Sequence, residues 1–242
     1  MNQNLTAKFF PQLRGGLIVS CQAPPESPLA EPNIIAAMAI AAIGQGAVGV
    51  RINTPAHIQA VRQQRHQSNQ THLPIIGLWK QVLADYPVYI TPRFGDAAAV
   101  ALAGADIIAI DATLRSRPEP LKSLIERIHT ELEKPVMADI DTLGAAEEAV
   151  AAGADCVGTT LYGYTAETQT YAPPGWELLE TLVQTLKVPV LCEGGISSPQ
   201  MARKALDLGA FAVVVGTDIT GIDLKVQAYC RAIAPSSTGD SQ

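Results

Sequence analysis

The sequence contains few of the residues on which metal centres, disulfide frameworks and nucleic-acid surfaces are built. Its 242 residues include 4 histidines and 4 cysteines, and aromatic residues make up only 5%. The formal net charge is −6, so the basic surface of a nucleic-acid-binding protein is missing. The cysteines show no CxxC spacing, and three lie in or beside predicted buried strands (Cys21, Cys156 and Cys192). We therefore expect reduced core thiols in a cytoplasmic protein.

We also expect no membrane or targeting segment, and the common nucleotide-binding and nucleophile motifs do not occur. Its most apolar stretch, residues 34–43, is too short to span a bilayer. Residues 1–5 have no basic segment followed by an apolar one, so we expect no signal peptide. No GxGxxG, GxxxxGK[ST] or GxSxG motif occurs. No histidine falls at the end of a predicted strand, so we predict no metal site.

What the chain does contain is a regular alternation of helical segments and short apolar strands. The strands are introduced in turn by a Gly-Ala pair or by a proline, and each follows a helical pattern. This alternation is typical of βαβ units and a parallel sheet. The predicted strands are residues 17–22, 47–52, 74–79, 106–111, 135–139, 155–160, 188–193 and 211–216. Eight such strands predict a single (β/α)₈ TIM barrel over residues 1–235, followed by a disordered tail at 236–242.

One further segment, residues 87–91, also has the composition of a strand. We interpret it as a short extended piece inside a long loop after strand 3. A nine-stranded open sheet is the alternative.

The ends of strands 7 and 8 suggest loops that bind a phosphate. Strand 7 ends at Glu193 and is followed by Gly194 and Gly195, and strand 8 ends at Gly216 and Thr217. Glycine lets backbone N–H groups approach an anion closely, and a following helix N-terminus favours negative charge. Paired phosphate loops after strands 7 and 8 are common in (β/α)₈ barrels.

Chemistry in such barrels occurs at the carboxyl ends of the strands, and polar residues end nearly all of the predicted strands. Lys80 and Glu193 directly follow apolar strands that lie four apart in a ring of eight, so we expect them to face each other across the mouth. Lys80 shares a strand face with Ile76 and Leu78, although the sequence does not fix that face as inward. The other polar residues at strand ends are Gln22, Arg51, Asp111, Asp139, Thr159 and Thr160.

Several of these strand ends belong to longer motifs that carry a family resemblance. The segments are GLIVSCQA (16–23), GAVGVR (46–51), PIIG (74–77) with Lys80, IAIDAT (108–113), MADI (137–140), GTTLYGYT (158–165) and EG (193–194). In this order they resemble the N-acetylmannosamine-6-phosphate 2-epimerase family over about residues 13 to 232. The resemblance implies a barrel that interconverts N-acetylmannosamine 6-phosphate and N-acetylglucosamine 6-phosphate in the catabolism of sialic acid and other amino sugars.

The resemblance also implies roles for individual residues. Lys80 and Glu193 match the family's catalytic lysine and glutamate. The matches to its substrate-binding residues are Gln22, Arg51 and Asp139, and we add Thr159 as a further candidate at a strand end. The resemblance further implies that no dissociable cofactor is needed and that the protein is a homodimer, which is the usual state in the family. An arginine that the family carries after strand 8 is replaced here by Gly221, and Arg93 is a candidate to compensate for it.

The residues suggest a mechanism in which Lys80 removes the C2 proton of the open-chain sugar and Glu193 assists from the opposite side. The sequence does not decide which of the two takes the first proton in which direction. Positive charge near the enolate oxygen is also required. Two other readings stay open. Lys80 could form a Schiff base, as in class I aldolases, or the barrel could bind a phosphosugar without turnover.

Overall fold

Eight parallel strands close into a barrel in the structure, a computed structural model that describes residues 3–67 and 73–234. The barrel closes where Ile18 of the first strand pairs with Val214 of the last. The strands are β1 (Leu17–Cys21), β2 (Gly49–Asn53), β3 (Ile75–Leu78), β4 (Ile107–Asp111), β5 (Val136–Asp139), β6 (Cys156–Gly158), β7 (Val190–Glu193) and β8 (Ala212–Val215).

The first helix precedes β1, and the other helices follow strands around the outside of the barrel. They are α1 (Gln3–Leu13), α2 (Pro32–Gly44), α3 (Pro55–Gln67), α4 (Phe94–Leu102), α5 (Leu121–Glu131), α6 (Leu143–Ala152), α7 (Trp176–Thr185), α8 (Pro199–Asp207), α9 (Thr217–Thr220) and α10 (Ile222–Ile233). The (β/α)₈ prediction is confirmed, since all eight predicted strands overlap observed ones in sequential order. The predicted tail at 236–242 lies outside the described residues.

The nine-stranded alternative is wrong. Residues 87–91 join none of the barrel strands, and Ile90 instead forms an isolated antiparallel bridge with Lys80. The segment therefore folds back over the end of β3, inside the loop before α4.

The Gly-Ala pairs end helices and start strands, as their spacing predicts. Gly153 ends α6 with a φ of 111°, and its N–H donates to carbonyl groups of the last helical turn. A side chain would make this left-handed conformation costly, so glycine is required where the chain turns directly into β6.

Strand residues alternate between two apolar clusters. The outer cluster lies between strands and helices and includes Val50, Ile52 and Val157. The inner cluster fills the barrel and includes Ile76, Leu78, Met137 and Leu191, together with Phe10 and Leu13 of α1, which close its lower end. Because side chains alternate along a strand, the inner cluster identifies which residues at the upper end also point inward.

Three of the four cysteines are buried, as predicted from their positions, and Cys230 is exposed. Burial raises the pKa of the Cys192 thiol to about 11. Within residues 3–67 and 73–234, no helix is long and apolar enough to cross a membrane.

Candidate active site

The inward-facing side chains at the carboxyl ends of the strands form one polar group at the barrel mouth. The alternation that places Leu78 inside the barrel extends to Lys80, and the alternation from Met137 and Leu191 extends to Asp139 and Glu193. Arg51 lies between the outward-facing Val50 and Ile52, so it also points into the barrel. The remaining inward positions at this level are Ser20, Gln22, Asp111, Thr160 and Gly216.

Arg51 is the centre of this group, with only 1% of its surface exposed. Its two terminal nitrogens donate to the two oxygens of Asp139, over 3.0 Å from Nη1 and 2.6 Å from Nη2. Nη1 also lies 3.1 Å from Oε2 of Glu193. A planar guanidinium suits this two-point contact, which fixes both carboxylates relative to it. The Nε of Arg51 is buried without a hydrogen-bond partner among the described residues.

Burial and charge act in opposite directions on the members of this cluster. Burial by itself lowers the pKa of Arg51, but the charges of Asp139 and Glu193 outweigh it and raise the pKa above the ordinary arginine value. For Glu193, burial raises the pKa, Arg51 opposes that change, and Asp139 adds to it. Arg51 is therefore a permanent cation, whereas Glu193 is easier to protonate than an ordinary glutamate.

Two adjacent threonines after β6 hold Glu193. Thr159 is buried, and its hydroxyl donates to the Glu193 carbonyl over 2.8 Å and accepts from the Glu193 N–H over 3.0 Å. Thr160 points the other way, and its hydroxyl lies 2.6 Å from Oδ1 of Asp139 and 3.1 Å from Oε2 of Glu193. Thr159 thus contacts the main chain of Glu193, and Thr160 contacts its carboxylate.

Lys80 lies at the solvent-exposed rim, above the buried cluster. Its ammonium donates to Oε1 of Gln22 over 2.8 Å, and Nε2 of Gln22 donates to the Ser20 hydroxyl over 2.7 Å. The backbone N–H of Lys80 donates to the Asn53 side chain. Ser20 is paired with Arg51 in the β1–β2 register, so this chain of contacts borders the cluster.

The surroundings of Lys80 favour its neutral form. Loss of hydration at its amino end lowers the pKa of Lys80, and the positive charge of Arg51 lowers it further. Glu193 and Asp139 act in the opposite direction without cancelling the shift. The side chain itself remains open to solvent, so the group is accessible to a substrate in the mouth.

The predicted phosphate loops lie beside Glu193 and Ser20. Gly194 and Gly195 have φ angles of 99° and 71°, which favour glycine. A side chain at Gly195 would come within 2.5 Å of the main chain at Pro173, so the loop after β6 packs directly on this turn. Gly216 lies against Ser20, and Thr217 begins the short helix α9. The structure therefore brings both loops to the rim that carries Lys80 and Gln22.

Two residues considered from the sequence have other partners. The Asp111 carboxylate accepts hydrogen bonds from the Thr113 hydroxyl, Arg115 and the backbone N–H of Tyr89, so it holds the loops after β3 and β4 together. Arg93 begins α4, and its guanidinium is paired with Asp96 at 2.9 Å. No group of three or more potential metal ligands occurs in the part of the chain that the structure describes.

Sequence reasoning did not single out Ser20, and it named Thr160 only as part of a strand end. Ser20 lies on an inward-facing position of β1, two residues after Ile18, and Thr160 continues the inward alternation of β6 two residues after Gly158. That alternation was the available signal, but Thr160 lies beyond the last residue of β6, where the pattern need not continue.

Comparisons with known proteins find similar chains over most of the sequence. The model of the NanE family, described as "Putative N-acetylmannosamine-6-phosphate epimerase", matches residues 35–235. A relative from Thermosynechococcus vestitus is described as "Putative N-acetylmannosamine-6-phosphate 2-epimerase". It is 71% identical over 222 residues, and the match covers 92% of this chain and 95% of the relative. One from Synechococcus elongatus is 60% identical over 225 residues, covering 92% and 95%. The solved N-acetylmannosamine-6-phosphate 2-epimerase from Clostridium perfringens matches with a TM-score of 0.86 and 39% identity, covering 93% of this chain and 96% of that one.

Proposed function

Because the chain belongs to the N-acetylmannosamine-6-phosphate 2-epimerase family of isomerases, we propose that it interconverts N-acetylmannosamine 6-phosphate and N-acetylglucosamine 6-phosphate. We place this reaction in the cytoplasm, in the catabolism of sialic acid and other amino sugars. The observation that carries the proposal is the accessible amine of Lys80 above the buried Arg51, beside a carboxylate whose protonation is favoured.

The proposed reaction begins with removal of the proton from C2. This C–H bond is acidic only when C1 is an aldehyde, so the sugar ring must be open, and the product of deprotonation is an enolate. A neutral amine is required to accept the proton, and the lowered pKa of Lys80 increases the neutral fraction at a given pH.

Arg51 and Glu193 support the remaining steps of the proposal. Arg51 is held in place before the substrate arrives, so its charge stabilises the developing enolate without reorganisation. The side chain of Glu193 is 12% exposed, and we propose that it delivers or removes a proton during ring opening or return to C2. Gln22 binds a polar group of the sugar, whereas Asp139 and Thr159 act through Arg51 and Glu193.

We propose that the phosphate is held by main-chain N–H groups rather than by a cation after β8. The donors are those of Gly194, Gly195, Gly216 and Thr217, and the position after β8 that the family fills with arginine is Gly221. Backbone donors suffice for anion binding when glycines permit close approach. The proposal includes no metal or other cofactor.

The test is incubation of the protein with N-acetylmannosamine 6-phosphate in D₂O, with EDTA present, followed by NMR at C2. We expect deuterium to replace the C2 proton and N-acetylglucosamine 6-phosphate to form. Borohydride treatment in parallel should leave the mass of the protein unchanged, because no imine is formed. Binding of the sugar phosphate without C2 exchange, or a borohydride-trapped adduct on Lys80, would contradict the proposal.

We also propose a homodimer, and helix α10 provides the surface. None of its residues is buried, although it carries a stripe of large apolar side chains. Ile222, Val226, Tyr229 and Ile233 share one helix face and are 53%, 55%, 71% and 79% exposed. An exposed apolar stripe of this length is unusual on a monomer and is self-complementary in a two-fold dimer.

We expect Val226→Glu to convert the dimer into a monomer, because the charge would be buried in the apolar contact. Light scattering coupled to size-exclusion chromatography would measure the mass of each form. Gln227→Glu adds the same charge on a different face of α10 and should leave the dimer intact. A monomeric wild-type protein at micromolar concentration would contradict the proposal.

A further inference from the structure

The hydroxyl of Thr160 lies between the two carboxylates of the site. It is 2.6 Å from Oδ1 of Asp139 and 3.1 Å from Oε2 of Glu193. Nη1 of Arg51 reaches the same two carboxylates, over 3.0 Å and 3.1 Å. One hydroxyl and one guanidinium nitrogen therefore join two groups that would otherwise repel each other.

The two oxygens of Glu193 have different surroundings. Oε2 faces inward, toward Arg51 and Thr160. Oε1 accepts no hydrogen bond from the described residues. A buried atom in that situation would be a buried polar atom without a partner, and among the described residues only Nε of Arg51 is such an atom. Oε1 is therefore the oxygen that reaches the solvent of the barrel mouth.

The main chain of Glu193 is fixed separately from its carboxylate. Thr159 binds both the N–H and the carbonyl of Glu193, so the backbone cannot shift along the strand. The contacts at Oε2 limit rotation of the carboxyl group about its own bond. Nη1 of Arg51 donates its hydrogen bonds to Asp139 and to the sulfur of Met137, so its contact with Oε2 is an ion pair. The neighbour that donates a hydrogen bond to Oε2 is Thr160, whose single hydroxyl proton is shared between Glu193 and Asp139.

We propose that Thr160 is a positioning residue that holds Oε2 of Glu193 inward, so that Oε1 alone faces the substrate. This inference rests on the epimerase function proposed above, in which Glu193 exchanges a proton with the sugar. Proton transfer depends steeply on geometry, and a carboxyl group free to rotate would lose the alignment that its contacts provide. The substrate does not need to touch Thr160 for this effect.

The test compares two substitutions at Thr160 that differ in the hydroxyl. Thr160→Val replaces the hydroxyl with a methyl group of similar size, and we expect a fall in kcat of about 10-fold or more with a small change in KM. Thr160→Ser keeps the hydroxyl and should retain kcat within about threefold. Thermal unfolding of both variants shows whether either change has disturbed the fold.

The pH dependence provides a second readout that a purely structural role would not move. Glu193 is faced by Arg51 from β2, Lys80 after β3, Asp139 from β5 and Tyr164 from the loop after β6. The Thr160 hydroxyl lowers the pKa of Glu193, so its removal should move the inflection of Glu193 in the kcat profile to higher pH. The Ser variant should keep the wild-type inflection.

A double-mutant cycle with Glu193→Gln decides whether Thr160 acts through Glu193. We expect Thr160→Val to have little further effect on kcat in the Glu193→Gln background. Equal losses in both backgrounds, or a normal rate and inflection in Thr160→Val, would overturn the inference. Because the wild-type protein is assayed first for C2 exchange, failure of the epimerase proposal would be recognised separately.

Discussion

Lys80→Ala should lower the rate of C2 proton exchange by about 10² or more, because it removes the group proposed to take the proton. The loss should appear in kcat, since the contacts that we propose between the substrate and Gln22, Arg51 and the phosphate loops remain. NMR in D₂O measures exchange and product formation in the same sample. Near-normal exchange in this variant would exclude Lys80 as the base.

Two control variants test whether the reaction needs the amine of Lys80 or only its positive charge, and whether the loss is specific to this lysine. Lys80→Arg keeps a positive charge at the rim, but a guanidinium is not neutral at accessible pH, so it should be as inactive as Lys80→Ala. Lys187→Ala removes an exposed lysine just before β7, at the opposite end of the barrel, and should leave the rate unchanged. Activity in Lys80→Arg would show that the charge, rather than the base, is what the reaction needs.

The pH dependence of the wild-type rate follows from the same group. The neutral amine is the active form, so the rate should rise as the pH increases through the pKa of Lys80. Because loss of hydration and Arg51 lower that pKa, the rise should occur below the ordinary lysine value of about 10.4. A rise centred at or above that value would contradict the proposed environment of Lys80.

Arg51→Met should destabilise the fold more than any other substitution at the site, in addition to abolishing activity. It leaves Asp139 and Glu193 close together and buried, without the cation that links them. Removing one partner of a buried ion pair costs roughly 3–5 kcal/mol. Urea unfolding would measure the loss. Arg203→Met, which breaks an exposed pair with Asp207, should cost about 1 kcal/mol or less.

The destabilisation of Arg51→Met should depend on pH with a definite sign. Arg51 lowers the pKa of Glu193, so without it the folded protein holds a proton on this carboxyl more tightly than the unfolded chain does. Stability then falls as the pH rises from the unfolded value, about 4.3, through the raised folded value. The variant should therefore be closest to the wild type under acidic conditions. A cost independent of pH would point to lost packing instead.

Much of the barrel could be predicted because its signals are local. The Gly-Ala pairs and prolines mark where helices turn into strands, and each strand is a short apolar run. The same periodicity placed Lys80 on the face of Ile76 and Leu78, and the structure shows that this face is the inner one. Local turn residues and the alternation of side chains along a strand are therefore enough to predict the scaffold. They also predict that the polar residues lie at the carboxyl ends of the strands.

The partners of the polar residues could not be predicted in the same way. Gln22 binds Lys80 across 58 positions of sequence, and the choice depends on side-chain conformations within a shared mouth. Asp111 has the same strand-end position as Asp139, yet it binds Thr113, Arg115 and the Tyr89 backbone instead of Arg51. Which carboxylate meets the arginine is decided by packing between distant strands, and alternation along one strand carries no information about it.

The position of α10 was equally beyond the sequence. Its large apolar residues recur on one helix face, and the described helix buries none of its residues. An amphipathic pattern shows that a face will be covered, and it does not show whether the cover is the same chain or another copy.

The apolar closure at the lower end of the barrel ties the N-terminal helix to an active site on the far side of the molecule. Phe10 and Leu13 stop water from entering beneath the inner layer that includes Met137, whose sulfur lies 3.5 Å from Arg51. Removing α1 would take Phe10 and Leu13 away and let water enter the barrel below the guanidinium of Arg51. Phe10 and Leu13 thus keep water away from Arg51 from below, and the low dielectric constant there strengthens the field that we propose acts on the sugar.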